Sequence, residues 1–286
     1  MASTATTRRY DTWTLLLTYC LVGVGVVMLY SSSSDTATEI TGDHMFFLKR
    51  QLIRILLGTA LLFACTRLNY YRLKSIANWL LIGSMILLTL TLVIHYALDR
   101  DGVARWLQLG PISVQPSDFA RLSIIIYLAA YIDRKNSVLN DFNHGFLPPV
   151  VVIGLTMLLI ILEPDFSTAA LTGVLGLTLL FLGGAKKRHL AALTAVSMPL
   201  LAAIMMAEPY RRVRILSFLG ILDSPKAEYQ ISQSLISLGN GGWFGQGLGN
   251  SVEKRLFLPA PHTDFVFAIF GEELGFLGAV LLLGGF

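Results

Sequence analysis

Apolar stretches near the length of a bilayer crossing recur along the whole chain, separated by short polar turns and by one long polar segment. They fall at about residues 12–30, 48–66, 76–98, 118–133, 145–162, 166–184, 188–207 and 265–286. A helix needs roughly 20 apolar residues to cross the hydrocarbon core, so most of them have the required length. The 118–133 stretch is short, and 145–162 is followed closely by 166–184. The pattern predicts an all-α, polytopic membrane bundle of about eight helices. It is expected to be a single membrane domain over 1–286, elaborated by one long loop at 208–264 before the last helix. The first stretch is too long for a signal peptide and lacks a small-residue cleavage site, so it reads as an anchor.

Positive charges set the orientation, because Lys and Arg concentrate on the cytoplasmic side. Arg8 and Arg9 precede the first helix; Arg67, Arg72 and Lys74 follow the second; Arg134 and Lys135 follow the fourth; Lys186, Lys187 and Arg188 follow the sixth. These alternate clusters all fall on one side. The opposite, outer side receives Ser31-Ser32-Ser33-Ser34-Asp35, the region around Trp106, the Glu163-Pro164-Asp165 turn and the 208–264 segment. Eight crossings place both termini of the chain in the cytoplasm. The long outer segment carries Arg211, Arg212, Arg214, Lys226, Lys254 and Arg255. Long loops escape the orientation rule, and a basic outer surface suits an anionic partner such as a lipid diphosphate. A solvated charged loop is the plainer alternative.

Composition agrees with a membrane protein: 54% of residues are hydrophobic and 14% charged, against roughly 25% charged in soluble domains. Cys20 and Cys65 lie inside apolar runs and read as small buried hydrophobes, not as a disulfide or zinc site. No repeat of solenoid period is visible, and no nucleic-acid partner is expected.

Several residues carry candidate chemistry. Gly239 to Ser251 holds six glycines within Gly239–Gly249. No Gly-Lys-Ser/Thr closes the run and no strand precedes it, so a nucleotide loop is excluded. Tight turns and close backbone approach at the membrane surface are the expected uses. Asp264 stands where the polar segment enters the last apolar stretch. Three uses remain open: capping the last helix together with Thr263, binding a metal with His262, or acting as a general base. Glu272 and Glu273 lie about 11–12 Å along the last helix. Asp118 and Arg121 are spaced to pair on one helix face. Arg54 lies within the second helix. Ionisable groups at membrane depth point to function, although a bundle-stabilising ion pair explains Asp118 and Arg121 equally well.

The order of short blocks carries a further likeness. They are Phe47-Leu48-Lys49-Arg50-Gln51, Arg105-Trp106-Leu107, Gln115-Pro116-Ser117-Asp118-Phe119-Ala120-Arg121 and Glu163-Pro164-Asp165-Phe166-Ser167-Thr168. Tyr229-Gln230 with Gln233-Ser234 follows, then Gly245-Gln246-Gly247-Leu248-Gly249-Asn250-Ser251, and last His262-Thr263-Asp264-Phe265 through Gly271-Glu272-Glu273-Leu274-Gly275. With these blocks the chain resembles the SEDS family (shape, elongation, division and sporulation) of bacterial peptidoglycan glycosyltransferases over nearly its whole length. Gly247-Leu248-Gly249-Asn250-Ser251 followed by Lys254 is more similar to the cell-division branch than to the elongation branch.

The resemblance implies polymerisation of lipid II into glycan strands on the outer face of the bacterial cytoplasmic (inner) membrane. The family's essential aspartate falls on Asp264, which would deprotonate the acceptor GlcNAc 4-hydroxyl. That oxygen would attack the anomeric carbon of the donor MurNAc, expel undecaprenyl diphosphate and invert the α-link to a β-1,4 bond. Lys254, Arg105, Arg211, Arg212, His262, Ser251 and Gln233 become candidate substrate ligands, and Asp118 with Arg121 a supporting pair. The leaving diphosphate needs cationic stabilisation. The basic residues or a divalent cation, magnesium or manganese, could supply it, and no organic cofactor is expected. Expected partners are lipid II, a class B penicillin-binding protein and other division proteins. The chain departs from the family in having Asp118 and Arg121 where Glu and Lys are commoner. Family members typically have ten membrane helices, so the expectation here is that the last two are missing. A lipid II flippase and a non-catalytic division scaffold are the competing functions.

Overall fold

The computed structural model describes residues 11–97, 106–109, 112–218, 221, 225–252 and 265–286. The helices are α1 (Thr12–Thr41), α2 (Phe46–Arg67), α3 (Tyr70–Ala97), α4 (Pro116–Lys135), α5 (Leu147–Leu162), α6 (Phe166–Leu182), α7 (Lys187–Ala207), α8 (Pro209–Phe218), α9 (Pro225–Asn240) and α10 (Val266–Gly285). The eight expected apolar segments correspond to α1–α7 and α10. Among the described residues, five helical stretches have both the length and the hydropathy to cross a membrane: Thr12–Thr41, Tyr71–Ala97, Phe142–Leu162, Lys187–Ala207 and Val266–Gly285. Phe166–Leu182 is apolar but shorter. The chain is a multi-pass helical membrane protein.

Three expectations change. The Ser31–Ser34 stretch, expected as an outer loop, lies within α1, which runs on to a left-handed Gly42 cap at φ 74°. The hydroxyls are accommodated inside the helix: Ser32 Oγ donates to Leu29 O at 3.3 Å and Thr38 Oγ1 to Ser34 O at 2.9 Å. The 208–264 segment, expected as a loop, contains α8 and α9. A small antiparallel ribbon, β1 (Leu107–Leu109) with β2 (Ile112–Val114), lies between α3 and α4 and pairs Leu107 with Val114.

The chain forms two compact units, residues 67–212 and the combination of 1–66 with 213–286. In the first, Leu81, Ile124, Leu128, Phe146, Ile153 and Leu180 form the main buried cluster. Small residues let the helices approach, as membrane bundles require: a Cβ on Gly176 would lie 2.7 Å from Ile153 Cδ1. In the second unit, Met28 of α1 packs with Ile269 and Phe270 of α10.

Between α4 and α5, Asp141 caps the short π-helical turn Phe142–Phe146 by accepting from Asn143 N at 3.1 Å. Its carboxylate also meets His144 Nδ1 at 2.8 Å. The His144 contact, then the Asn143 bond, hold its pKa below the ordinary value of 3.8. The folded pKa lies below the unfolded one, so the stabilisation is present above about pH 4 and is lost as pH falls through the lowered value. Asp141→Asn should therefore flatten the fall in melting temperature below pH 4, by a small margin because the site is exposed. Thermal melts of both chains across pH 2.5–6 in a buffer series check it.

Candidate functional site at a broken membrane helix

The last membrane helix is interrupted. Gly275 has φ 70° and ψ −173°, a conformation that only glycine adopts without strain, and it splits α10 in two. A break of this kind frees the carbonyls of Glu272 and Glu273 and the N–H groups of Phe276 and Leu277. In an intact helix these would have bonded each other, residue i+4 to residue i. The glycine-rich segment takes up all four. Gln246 N donates to Glu272 O at 2.9 Å and Gly247 N to Glu273 O at 3.0 Å. Phe276 N donates to Gly242 O at 2.8 Å and Leu277 N to Trp243 O at 3.2 Å. Backbone that leaves a helix at membrane depth must find partners within the protein, and here they come from one segment.

This pairing fixes the path of the chain. Ser237 Oγ meets Ala268 O, a Cβ on Gly241 would lie 2.0 Å from Gly271 O, and Gly242 bonds Phe276. Rising numbers meet rising numbers, so the end of α9 runs alongside α10 in the same direction. At Gln246 the chain turns back, and Ser251 and Val252 again lie against Glu272. The supposed surface loop therefore descends to Gly275, about 14 Å along α10 by helical rise, and climbs back. Left-handed glycines at 242, 245, 247 and 249 make the turns. The expected close backbone approach is present, but deep in the helix and not at its surface.

Two fully buried acids stand at the break: the Glu272 side chain holds the hairpin, and that of Glu273 reaches α1. Glu272 Oε2 accepts from Ser251 Oγ at 2.6 Å and from Ser237 Oγ at 2.9 Å, and its Oε1 accepts from Val252 N at 3.1 Å. Glu273 Oε1 accepts from Ser31 Oγ of α1 at 2.6 Å. Ser251, read as a substrate ligand, is 1% exposed and engaged by Glu272. Sequence spacing missed this role for the two acids. The available signal was a glycine closely following paired acids in an apolar helix, preceded by a run of glycines and serines.

Beyond Val252 the chain passes through residues 253–264 and re-enters α10 at Phe265. Lys254, His262 and Asp264, like Arg105, lie outside the described residues. The N-cap position of α10 belongs to Phe265, which makes no side-chain cap bond. Of the remaining candidates, Gln233 is half-buried on α9. Arg211 lies over the Phe166 ring at 5.4 Å, and Arg212 is exposed. Asp118 and Arg121 form the expected ion pair. Near them, Gln115 Nε2 donates to Asp165 Oδ2 at 3.1 Å, and Asp165 caps α6 by accepting from Thr168 N and Thr168 Oγ1. Among the described residues no three His, Cys, Asp or Glu side chains assemble into a metal site. Both Glu272 oxygens and Glu273 Oε1 accept from hydroxyl or backbone donors.

Comparison with known proteins decides the family. Residues 12–286 match the FtsW/RodA/SpoVE model, described as a cell cycle protein. The chain belongs to this family. Among curated SEDS relatives, the probable peptidoglycan glycosyltransferase FtsW of Geobacter metallireducens is 35% identical over 279 residues, covering 97% of this chain and 74% of that one. The protein of the same description from Thioalkalivibrio sulfidiphilus is 38% identical over 283 residues, covering 98% and 71%. A chain of a solved peptidoglycan synthase complex, studied for the coordination of polymerization and crosslinking, superposes with TM-score 0.73 at 26% identity and covers 97% and 75%. The rod shape determining protein RodA of Thermus thermophilus gives 0.61 at 25% identity, covering 98% and 72%. The SEDS fold accounts for the multi-pass helical architecture.

Proposed function

We propose that this SEDS protein is a peptidoglycan glycosyltransferase of the FtsW type, polymerising lipid II into β-1,4-linked glycan strands during cell division. The observation that carries the reading is the 35–38% identity to FtsW-named glycosyltransferases over nearly the whole chain. The reaction takes place on the outer face of the cytoplasmic membrane, with the 208–264 segment outside and the positive turns at 67–74, 134–135 and 186–188 inside. A class B penicillin-binding protein crosslinks the product. The 26%-identical likeness to a chain of a synthase complex supports such a pairing.

In this mechanism Asp264 takes the proton from the acceptor GlcNAc 4-hydroxyl. The oxygen forms a bond to the anomeric carbon of the donor MurNAc as the bond to the diphosphate breaks. The departing undecaprenyl diphosphate keeps the electron pair and needs fixed positive charge nearby. Lys254, Arg105, Arg211 and Arg212 are the candidates for that charge. The buried hairpin supports this reading by anchoring Val252, from which the 253–264 segment departs, to Glu272. Strand synthesis from labelled lipid II with the class B partner tests it. The parent is expected to make polymer, and Asp264→Ala none. Polymer from both removes Asp264 from the mechanism, and none from the parent counts against the activity.

A second reading has one observation in its favour. A broken helix met by a re-entrant segment is a device that transporters place along their substrate path. A lipid II flippase would keep its activity in Asp264→Asn, measured as exposure of labelled lipid II on the far leaflet of proteoliposomes.

A further inference from the structure

A groove of about 520 Å³ lies between α1 and α2 and reaches Val266, the first residue of α10. That volume falls in the range of about 300–1,000 Å³ typical of small-molecule sites. One wall is apolar, with Gly25 and Leu29 of α1; Gly25 has nothing within 4 Å of where a Cβ would stand, which leaves the wall open. The opposite wall carries Arg50, Gln51 and Arg54 of α2. Arg54 stands eight residues from the start of α2, about 12 Å along the helix axis.

Two cations in this place need an explanation. Arg50 and Arg54 are one helical turn apart, so their stems share a face at about 6 Å and repel each other. Among the described residues neither makes an ion pair with a carboxylate and no acid lines the groove. By contrast Lys49, on the same helix, is paired with Asp43 at 2.7 Å. The Arg50 guanidinium stacks on the Phe46 ring at 4.2 Å, which orients it without neutralising it. Charged groups at membrane depth normally find a partner or face a polar path. An amide beside two unneutralised guanidiniums, opposite an open apolar wall, is complementary to an anion carried on a hydrocarbon tail. Two guanidiniums at this spacing match two linked phosphoryl groups, because each can grip phosphate oxygens in bidentate fashion.

We propose that Arg50, Gln51 and Arg54 bind the diphosphate of a polyprenyl-linked lipid, with the tail along the α1 wall. The inference rests on the glycosyltransferase reading for its choice of lipid. Val266, which the groove reaches, is the first residue of α10 and follows Asp264 by two positions in the sequence.

The test uses the full chain in nanodiscs of neutral lipid and farnesyl diphosphate as probe, with farnesyl monophosphate and farnesol beside it, read by calorimetry. The diphosphate should bind more tightly than the monophosphate, and farnesol should not compete. Arg54→Gln and Arg50→Gln should each weaken the diphosphate by about tenfold or more, the loss expected for a charge-assisted contact. Arg54→Lys, which keeps the charge but not the two-pronged donor, should bind between the parent and Arg54→Gln, and the melting temperature of each variant reports that it is folded. Equal binding by Arg54→Gln, or equally strong competition by phosphatidylglycerol, overturns the proposal. The two readings fail separately. Arg54-dependent diphosphate binding by a chain that never polymerises lipid II keeps the groove and rejects the enzyme. Polymerisation with unchanged binding in Arg54→Gln does the reverse.

Discussion

Gly275→Ala should leave almost no folded protein, although alanine is normally the better helix residue. In an ordinary helix interior the change from glycine gains about 1 kcal/mol. At Gly275 the sign reverses for two reasons. The φ of 70° with ψ of −173° lies in a region essentially closed to residues with a Cβ, at a cost of about 1–3 kcal/mol. The added Cβ would also stand 2.3 Å from Gly245 N and 2.7 Å from Phe244 C, which are backbone atoms that cannot rotate away. Relief requires the hairpin to withdraw, and then the four exchanged backbone bonds are lost together. The combined penalty should exceed about 4 kcal/mol, the level reached only when a defined structural device is destroyed. Gly284, in the same helix with nothing within 4 Å of where an added methyl would stand, is the control. Size-exclusion profiles and thermal melts in detergent check the contrast. Similar behaviour of Gly275→Ala and Gly284→Ala would mean that the loop does not enter the break.

Glu272→Ala should be nearly as damaging, and through hydrogen bonding instead of shape. The side chain is wholly buried and receives three donors, Ser237 Oγ, Ser251 Oγ and Val252 N. Removing the acceptor breaks three hydrogen bonds to a charged group, each worth about 1.5–3 kcal/mol, although Ser237 Oγ keeps Ala268 O as a second acceptor. Ser251→Ala removes only one donor and should cost about 1 kcal/mol. The double variant should then cost less than the sum of the singles, with a coupling of about 0.5–3 kcal/mol. Glu272→Gln keeps the volume, its oxygen can accept from Val252 N and its amide can donate to a serine hydroxyl, but the charge-assisted bonds are lost, so it should fall between the two. Melting temperatures of the parent, the two alanine variants and the double variant close the cycle. Additive losses would place Ser251 away from Glu272 in the folded protein. Strand synthesis should follow the same order, because the 253–264 segment leaves from Val252.

Much of this arrangement was legible in the sequence, and the reasons for the exceptions are physical. Helix α5 and helix α6 are apolar on every face, so length and hydropathy alone located them. Asp118 and Arg121 were readable because an i, i+3 spacing on a helix brings side chains together whatever surrounds them. The serines at 31–34 misled, since polarity suggested a loop. Serine hydroxyls can bond back to their own helix, and Ser31 has a distant acceptor in Glu273. The 208–264 segment misled for the opposite reason. Its glycines look like surface, while residues 241–252 pair with the interior of α10, and hydropathy does not register backbone-to-backbone pairing. Glu272 and Glu273 were noticed as costly residues at depth, but only the fold reveals that their partners are 21 and 242 positions away.

The exchange of bonds at Gly275 also has a temporal side. A nascent chain emerges from its N-terminus, so the hairpin of residues 241–252 is synthesised before either half of α10. The earlier segment carries donors and acceptors that have no partner until the later one arrives, and the later one cannot close its own ladder without the earlier. Insertion of α10 is thus a tertiary event, completed against a waiting template and not by hydropathy alone. Mutations in the hairpin should therefore be felt as a failure of the last helix to settle in the bilayer.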